Sequence, residues 1–536
     1  MRPCSAVASH EPVGPELPVN VSCISQRELT DAIGKLGANK AKGCDMIPAE
    51  LWKAIASSPD AMHSLLNFSN MCWHQKRIPE QWHHSLVSCL FKKGDVADCA
   101  NYRPISLQCV IYKAFASVML ARLREAGAED HIWNTQFGFR SKCGTREALF
   151  IARQVITNIF AAKDGRGMFL ASDWAKAFDS ISVEGLLLAL KRFGLPASYV
   201  DMVRGIYTNR TFSVREGSNT SSSHPQQFGI LQGCPLSPFL FSILMTVLVH
   251  DAKKLYADRM GADMPDEFGI NEILYADDTL LVGVSAQVLE EYMECIRVCG
   301  SQYGMSFNAN KFEALQMNCA ADLHTGQGVD IPVKASIKYL GALLSADGHS
   351  HSEVARRIGM AKAEFALLRK CWQHSSLTIK DKTKIYYAIV VSGLLYGMES
   401  LALCVNDKRK LDGFHAKCCR SIAHISASYI SRVSNKFVFQ TLNVKPMSET
   451  LLKRQLQFFG TIARKSDEDV IRKMIFKPSS CAEATVDTRK PGRPRINWKQ
   501  QMFKHAFTIA GNTPLHDMLS DKQAWCTAVR QYCDSE

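Results

Sequence analysis

The sequence predicts an α+β protein in which a small sheet lies among helices. Two short apolar runs, residues 168–172 and 273–282, have the length and composition of buried β-strands. The second run has two adjacent acids at its centre, which predicts a hairpin with those acids at its tip. Other segments carry apolar residues at helical spacing, as in residues 183–193, for which Ser182 is a candidate N-cap.

Local sequence signals also predict the structure of the segments outside these runs. Residues 1–24 contain several prolines and little periodicity, which predicts irregular structure. Ser25 followed by Glu28 has the pattern of a capping box and predicts the start of a helix. Downstream, residues 354–372 have the pattern of an amphipathic basic helix, and residues 378–396 that of an apolar helix.

The acids at the hairpin tip, Asp277 and Asp278, are the first candidate site residues. Taken alone, two adjacent acids are also compatible with a solvated turn. Asp173 ends the first apolar run, so that neighbouring strands would bring three carboxylates together. Like charges disfavour each other's ionisation, and a divalent cation removes that cost. The pattern therefore predicts a metal site of the kind that catalyses in-line phosphoryl transfer.

Composition agrees with a large protein that binds a polyanion. The 536 residues are enough for several domains, and the net charge is 64 − 51 = +13. The 19 cysteines and the absence of a visible secretory signal predict a reducing, intracellular location, nuclear or cytoplasmic. The cysteines lack zinc-site spacing, so no structural zinc is expected. No apolar run is long enough to span a bilayer, so no membrane association is expected.

Further motifs stand in order around the three acids. In chain order they are residues 42–51 (KGCDMIPAEL), 92–95 (KKGD), 101–107 (NYRPISL), 136–140 (QFGFR), 173–179 (DWAKAFD), 229–241 (GILQGCPLSPFLF), 275–278 (YADD), 304–311 (GMSFNANK) and 338–341 (KYLG). Together they resemble the reverse transcriptases of non-LTR (LINE-type) retrotransposons. The resemblance implies a right-hand polymerase with fingers, a palm with an antiparallel sheet, a helical thumb, and helical extensions at both ends.

The resemblance implies a catalytic role for four residues. Asp173, Asp277 and Asp278 would bind two Mg²⁺ ions, which activate a primer 3′-hydroxyl and neutralise the leaving phosphates. Lys311 would protonate the leaving pyrophosphate as a general acid. An ordinary surface lysine is the alternative interpretation for Lys311.

The incoming deoxynucleoside triphosphate would be bound by two other groups of residues. Arg103 and Lys93 would hold the triphosphate, because arginine offers a planar fork of donors and lysine a point charge. The sequence leaves Lys92 open as an alternative to Lys93. Gln232 and Gly233 would line the pocket for the nucleotide and template, because glycine lets the backbone approach a ligand closely.

Phe178 lies five residues after Asp173, where reverse transcriptases place a bulky aromatic under the sugar. Its ring would clash with a ribose 2′-hydroxyl, so the resemblance implies selection of deoxynucleotides. Ala276, in place of the glycine of viral RNA polymerases, also favours DNA synthesis. The alternative is that Phe178 is an ordinary core residue.

Three further segments are candidates for binding the primer, the duplex or other DNA. Tyr339, Leu340 and Gly341 match the primer grip. The basic helix of residues 354–372 suits a track along an RNA–DNA duplex, with a solvated charged face as the alternative. Residues 489–495 form a basic segment broken by prolines, which resembles a minor-groove AT-hook or is a solvated linker.

These assignments divide the chain into five predicted regions. They are an irregular N-terminus (1–24), a helical N-terminal extension (25–85), reverse transcriptase fingers and palm (86–345), a helical thumb (346–400) and a basic, mostly helical C-terminal region (401–536). The expected partners are an RNA template, a DNA primer and deoxynucleoside triphosphates. Endonuclease activity is expected to come from another chain or a missing segment.

Three functions remain open from the sequence. An active RNA-directed DNA polymerase of the non-LTR type is favoured. A group II intron-type polymerase with maturase function shares the motifs at 101–104 and 275–278, but the motif at 42–51 and the basic tail fit it less well. A catalytically dead nucleic-acid-binding relic is the third, although intact site residues argue against decay of the site.

Overall fold

The computed structural model describes residues 10–484 and 495–535. Residues 10–24 contain neither helix nor strand, as predicted. Four helices follow, α1 (Gln26–Gly34), α2 (Ala49–Ala56), α3 (Pro59–Gln75) and α4 (Glu80–His83). Ser25 and Glu28 form the predicted capping box at the start of α1. Glu28 also pairs at 2.6 Å with the buried Arg122, which attaches this extension to the rest of the molecule.

The strands of the described chain form two larger sheets and one hairpin. The strands are β1 (His84–Phe91), β2 (Tyr102–Leu107), β3 (Gly167–Ser172), β4 (Thr211–Glu216), β5 (Asn219–Thr220), β6 (His224–Pro225), β7 (Glu272–Tyr275), β8 (Asp278–Gly283), β9 (Glu313–Met317), β10 (Ser336–Tyr339) and β11 (Ala342–Ser345). The first sheet has the order β2-β1-β4-β5, with β6 also paired to β4. The second sheet, β7-β8-β3-β9, is antiparallel throughout. Strands β10 and β11 pair only with each other.

Helices connect and cover these sheets. Up to the β10–β11 hairpin they are α5 (Val110–Glu125), α6 (Thr145–Ala161), α7 (Ala177–Ser180), α8 (Val183–Arg192), α9 (Ala197–Tyr207), α10 (Ser237–Met260) and α11 (Ala286–Gln302). The predicted N-cap is confirmed, because the Ser182 side chain accepts a hydrogen bond from the Gly185 amide. Helix α10 is buried on nearly all sides along its first half, so it is a central core element rather than an amphipathic surface helix.

After the β10–β11 hairpin the described chain is almost entirely helical. The helices are α12 (His351–Leu367), α13 (Arg369–Gln373), α14 (Ile379–Tyr386), α15 (Ser392–Leu395), α16 (Val405–Ile422), α17 (Ser428–Ser431), α18 (Asn435–Leu442), α19 (Met447–Ala463), α20 (Val470–Ile475), α21 (Trp498–Ala510), α22 (Leu515–Ser520) and α23 (Lys522–Ser535). The helix predicted over residues 354–372 is interrupted at Leu368, between α12 and α13. A π-helical turn, Tyr387–Val391, joins α14 to α15.

The last helices share a hydrophobic core with the second sheet. Trp498 at the start of α21 packs edge-to-face on Phe150 of α6, with ring centroids 4.8 Å apart. Phe458 of α19 contacts the same Phe150 at 5.2 Å. Because α6 also packs on β7, the C-terminal helices buttress the strand that leads into the two acids.

The structure bears on the predicted basic segment and on the expectation that no segment spans a membrane. Residues 489–494 of the basic segment lie outside the described residues. Arg495, at the end of that segment, stacks its guanidinium on Phe160 at 3.9 Å and donates to the Asp347 carbonyl. Among the described residues, no helix combines the length and the apolar character that crossing a bilayer requires.

Candidate active site

The strand register of the second sheet brings the three predicted acids to one edge. Ser172 at the end of β3 pairs with Thr279 of β8, so Asp173 and Asp278 follow and precede this pair at the same end of the sheet. In the β7–β8 hairpin Tyr275 pairs with Asp278, which leaves Ala276 and Asp277 as a two-residue turn. The predicted hairpin with acids at its tip is confirmed.

The acids are held in an environment that disfavours their charge. Burial, together with the negative charges of Asp277 and Asp173, raises the pKa of Asp278 to about 6. Burial also raises the pKa of Asp277, with Asp173 adding to the effect and Arg103 opposing it. A bound cation would favour the ionised carboxylates, and carboxylate oxygens are ligands that Mg²⁺ prefers. The donor set therefore fits a divalent metal ion.

Lys311 lies at the same edge, as the sequence predicted. Its Nζ is 2.5 Å from Oδ2 of Asp173. The backbone that carries it is fixed to the same loop, because the Asn308 amide donates to the Asp173 carbonyl at 2.8 Å. The Lys311 side chain is more than half exposed, so its ammonium can exchange Asp173 for another anion.

The segment that contains Gln232 and Gly233 is attached to strand β2, the strand of Arg103. The Ser106 amide of β2 donates to the Gln232 carbonyl at 2.8 Å. Gly233 has a φ of +127°, and a Cβ at this position would lie 2.6 Å from the Ser106 carbonyl oxygen. A glycine is therefore required here for both backbone conformation and space. Arg103 is exposed and is near enough to Asp277 to lower its pKa.

Asp179 is a site residue that the sequence reasoning did not single out. Gln232 donates from Nε2 to its Oδ1 at 2.9 Å. Burial raises the pKa of Asp179, and the positive charges of Lys176 and Lys92 oppose that rise. Lys92 is therefore near enough to Asp179 to act on its pKa, and both Lys92 and Lys93 are exposed on this loop.

Phe178 belongs to a cluster of three aromatic rings beside the acids. Its ring is stacked on Phe241 of α10, with centroids 4.6 Å apart and an interplanar angle of 12°. Phe139 contacts it edge-on at 6.0 Å. Phe178 is half-buried and Phe241 fully buried, so the core side of the Phe178 ring is fixed by packing.

The predicted primer-grip residues form a tight hairpin turn between β10 and β11. Leu340 and Gly341 have φ values of +45° and +74°, the pattern that two-residue hairpin turns require. Tyr339 is buried and its hydroxyl donates to the Ile273 carbonyl of β7 at 3.3 Å. This hydrogen bond connects the β10–β11 hairpin to the strand that precedes Asp277 and Asp278.

Two arginines of α12 hold this turn. Arg356 and Arg357 donate to the Gly341 carbonyl at 2.8 and 2.6 Å, and both also pair with the buried Glu353. Arg357 is buried, so it does not contribute to the exposed basic track predicted along this helix. The charge pattern alone does not reveal that a carbonyl oxygen captures these side chains. Tyr396 also holds the turn, since its hydroxyl donates to the Leu340 carbonyl at 3.0 Å.

Comparison with known proteins agrees with this arrangement. Residues 91–344 match the family described as reverse transcriptase (RNA-dependent DNA polymerase). The chain is 25% identical over 442 residues to the RNA-directed DNA polymerase from mobile element jockey of Drosophila melanogaster, covering 76% of this chain and 45% of that protein. It is 26% identical over 402 residues to the probable RNA-directed DNA polymerase from transposon X-element of the same organism, covering 74% and 43%.

A third relative and one solved structure extend the comparison. The chain is 24% identical over 362 residues to the Pol polyprotein from type-1 retrotransposable element R2 of Popillia japonica, covering 65% of this chain and 48% of that protein. An apo telomerase from Candida tropicalis, truncated from its C-terminal domain, aligns with a TM-score of 0.34 and 12% identity over 57% of this chain and 62% of the telomerase chain. The chain spans less than half the length of each of the three sequence relatives.

Residues 91–344 thus form a domain of the reverse transcriptase family, a family that generally uses divalent metal ions. The chain is related to the RNA-directed DNA polymerases of non-LTR retrotransposons, and the resemblance predicted from the order of the motifs is confirmed.

The raised pKa of Asp278 predicts that this carboxylate destabilises the metal-free fold at neutral pH. Protonated Asp278 is favoured in the folded state, so its stabilising contribution is present at low pH and is lost as the pH rises through about 6. We expect Asp278→Asn to increase the free energy of unfolding by about 2 kcal/mol at pH 7.5 without metal. Urea denaturation followed by circular dichroism measures this difference.

The same variant provides its own controls. The difference should disappear at pH 4, where wild-type Asp278 is protonated in the fold. Mg²⁺ at pH 7.5 should stabilise the wild type more than the variant. A variant that is less stable than wild type at pH 7.5, or a difference independent of pH, would contradict this electrostatic account.

Proposed function

We propose that this chain is an RNA-directed DNA polymerase that copies an RNA template into DNA and forms the polymerase part of a non-LTR retrotransposon. The observation that carries the proposal is the meeting of Asp173, Asp277 and Asp278 at one sheet edge, with Lys311 in contact, inside the reverse transcriptase domain. A binding module would gain nothing from burying repelling carboxylates at this edge, whereas nucleotidyl transfer requires them.

Asp173, Asp277 and Asp278 would hold two Mg²⁺ ions. When bound, the ions would activate the primer 3′-hydroxyl and neutralise charge on the leaving phosphates. By fixing where the ions bind, the carboxylates would determine where the primer 3′-hydroxyl meets the α-phosphate. Lys311 would leave Asp173 when the triphosphate arrives, and its ammonium would protonate the departing pyrophosphate.

Residues of β2 and the loops beside it would bind the nucleotide. The exposed Arg103 is near Asp277, where its guanidinium can bind phosphate oxygens in a bidentate manner. Lys92, or Lys93 as first predicted, would supply a second positive charge. Gln232 and Gly233 would line the pocket for the nucleotide and the template base. The hydrogen bond from Gln232 to Asp179 would fix the Gln232 side chain in that pocket.

The right-hand division of the chain is part of the proposal. The β1–β2–β4 sheet would be the fingers, the β3–β7–β8–β9 sheet the palm, and the helices from α12 to α15 the thumb. The proposed fingers and palm, residues 86–345, begin within β1, and the proposed thumb, residues 346–400, begins five residues before α12. We also propose the expected intracellular location, nuclear or cytoplasmic.

The turn of Leu340 and Gly341 would hold the primer end at the acids. Its backbone is fixed by Arg356, Arg357 and Tyr396, and Tyr339 connects it to β7. Because Tyr339 anchors this turn to β7, the strand that leads into the acids, the turn would keep the primer terminus in a fixed position relative to the acids. Positioning of this kind supplies much of the catalysis in phosphoryl transfer.

Primer extension tests the proposed activity. We expect the wild-type protein to extend a DNA primer on an RNA template with Mg²⁺ and deoxynucleotides. Asp277→Asn should reduce the rate at least about a thousandfold, because a charged metal ligand is lost while the side-chain shape is kept. Asp517→Asn, the same change at an exposed residue of α22, should leave the rate unchanged.

The outcomes of this assay separate an active polymerase from a catalytically dead relic. Equal extension by wild type and Asp277→Asn would mean that the site is elsewhere. A folded wild-type protein that binds an RNA–DNA duplex but extends no primer would be the catalytically dead relic.

Selection against ribonucleotides tests the role of Phe178. Phe241 stacks on one face of the Phe178 ring, so the ring is held in a fixed position in the pocket. Phe178→Val should open space for a 2′-hydroxyl and raise kcat/KM for ribonucleotides about 10- to 100-fold relative to deoxynucleotides. Single-nucleotide incorporation kinetics measure this ratio, with Phe507→Val at an exposed site as the control. An unchanged ratio would assign Phe178 to the core alone.

A further inference from the structure

Gln136 is fully buried and its amide faces the turn of the catalytic hairpin. Its Oε1 accepts a hydrogen bond from the Ala276 amide at 2.9 Å, and its Nε2 donates to the Ala276 carbonyl at 3.3 Å. The same Oε1 accepts from the Gly138 amide at 2.8 Å. One side chain therefore satisfies both backbone groups of Ala276, although the two residues are 140 positions apart in the sequence.

Ala276 needs such a partner because of its backbone conformation. It is the first residue of the two-residue turn and has a φ of +56°. Tight hairpin turns of this length favour glycine or asparagine at such positions, because a Cβ is unfavourable at positive φ. The next two residues are Asp277 and Asp278, so the conformation of Ala276 sets the direction of both carboxylates.

The segment around Gln136 is fastened to the hairpin by its backbone as well. The Leu274 amide donates to the Thr135 carbonyl at 2.9 Å, and the Phe137 amide donates to the Leu274 carbonyl at 2.8 Å. Gly138 lies against the Ala276 amide so closely that a Cβ there would collide with it. The segment therefore follows β7 and ends with the glutamine amide at the turn.

We propose that Gln136 is a positioning residue for the metal site. Its amide holds Ala276 in the left-handed conformation, and this fixes Asp277 and Asp278 in the orientation that binds metal before substrate arrives. Its contribution to activity rests on the proposed polymerase function, whereas its effect on the turn does not.

Gln136→Leu tests the proposal, because leucine fills similar space but neither accepts nor donates. We expect the primer-extension kcat to fall about 10- to 100-fold, as a displacement of reacting groups by a fraction of an ångström predicts, with a higher Mg²⁺ concentration for half-maximal rate. The Kd for an RNA–DNA duplex should stay at the wild-type value. Gln455→Leu removes another buried glutamine, which donates to the Leu401 carbonyl, and should change neither quantity.

A rescue experiment separates positioning from general loss of structure. Glycine adopts positive φ without penalty, so Ala276→Gly should make the turn less dependent on the glutamine. We expect the double variant Gln136→Leu/Ala276→Gly to recover most of the lost rate and the wild-type Mg²⁺ requirement. Failure of the glycine to rescue, with duplex binding and stability reduced together, would overturn the positioning role.

Hydrogen exchange tests the turn without using activity. The Ala276 amide should exchange slowly in the wild type and at least about tenfold faster in Gln136→Leu. If Gln136→Leu does not fold, Gln136→Asn keeps the amide on a side chain that is one methylene shorter, and an intermediate protection of the Ala276 amide is expected. Unchanged exchange of Ala276, or a wild-type rate and Mg²⁺ requirement in a folded Gln136→Leu protein, would refute the proposal. A wild-type protein that extends no primer would refute the polymerase function, while the exchange result still decides the role of Gln136 in the turn.

Discussion

The pairing of β3 with β8 places Asp173 next to Asp278 at one end of an antiparallel sheet, with Asp277 in the adjoining turn. Three carboxylates in a partly buried position repel each other, and burial together with this repulsion raises the pKa values of Asp277 and Asp278. In the metal-free protein Lys311 relieves part of it through its contact with Asp173. We expect a divalent cation to relieve the remainder, so the surrounding structure has to hold the three acids in place.

Contacts around the sheet hold the three carboxylates in place despite their mutual repulsion. The base of β7 is anchored by the buried Glu272, whose carboxylate accepts hydrogen bonds from Trp133 at 2.6 Å and Tyr292 at 2.8 Å. The tip is held by Gln136. Behind the sheet, α6 is buttressed by the aromatic rings of α19 and α21, so residues far along the chain contribute to the frame of the site.

Much of the acid site was predictable from the sequence because its parts are local. The run that ends in Asp173 and the hairpin at Asp277 and Asp278 each follow from the residues within a few positions. The capping box of α1 and the cap of α8 are local in the same way. The order of the motifs along the chain then established the resemblance to reverse transcriptases. That resemblance implied that the three acids lie close together, and the pairing of β3 with β8 brings them to one end of the sheet.

The parts that the sequence did not reveal depend on contacts between distant segments. The contact between Gln136 and Ala276 joins two motifs whose spacing carries no sign of it. The sequence predicts Arg356 and Arg357 as surface charges, whereas in the structure both donate to the Gly341 carbonyl. Gln136, Arg356 and Arg357 all contact backbone atoms. Every residue type offers the same backbone atoms, so the sequence does not indicate which of them a side chain will contact.

Direct measurement of metal binding tests the central claim, that the acid edge is a divalent metal site. Electron paramagnetic resonance can count Mn²⁺ ions bound to the protein with an RNA–DNA duplex and a non-hydrolysable deoxynucleotide. We expect two bound ions in the wild type and weakened binding in Asp173→Asn, which removes a carboxylate charge and its contact with Lys311. Equal Mn²⁺ binding by the two proteins would mean that other residues hold the metal and that the acid edge is not the metal site.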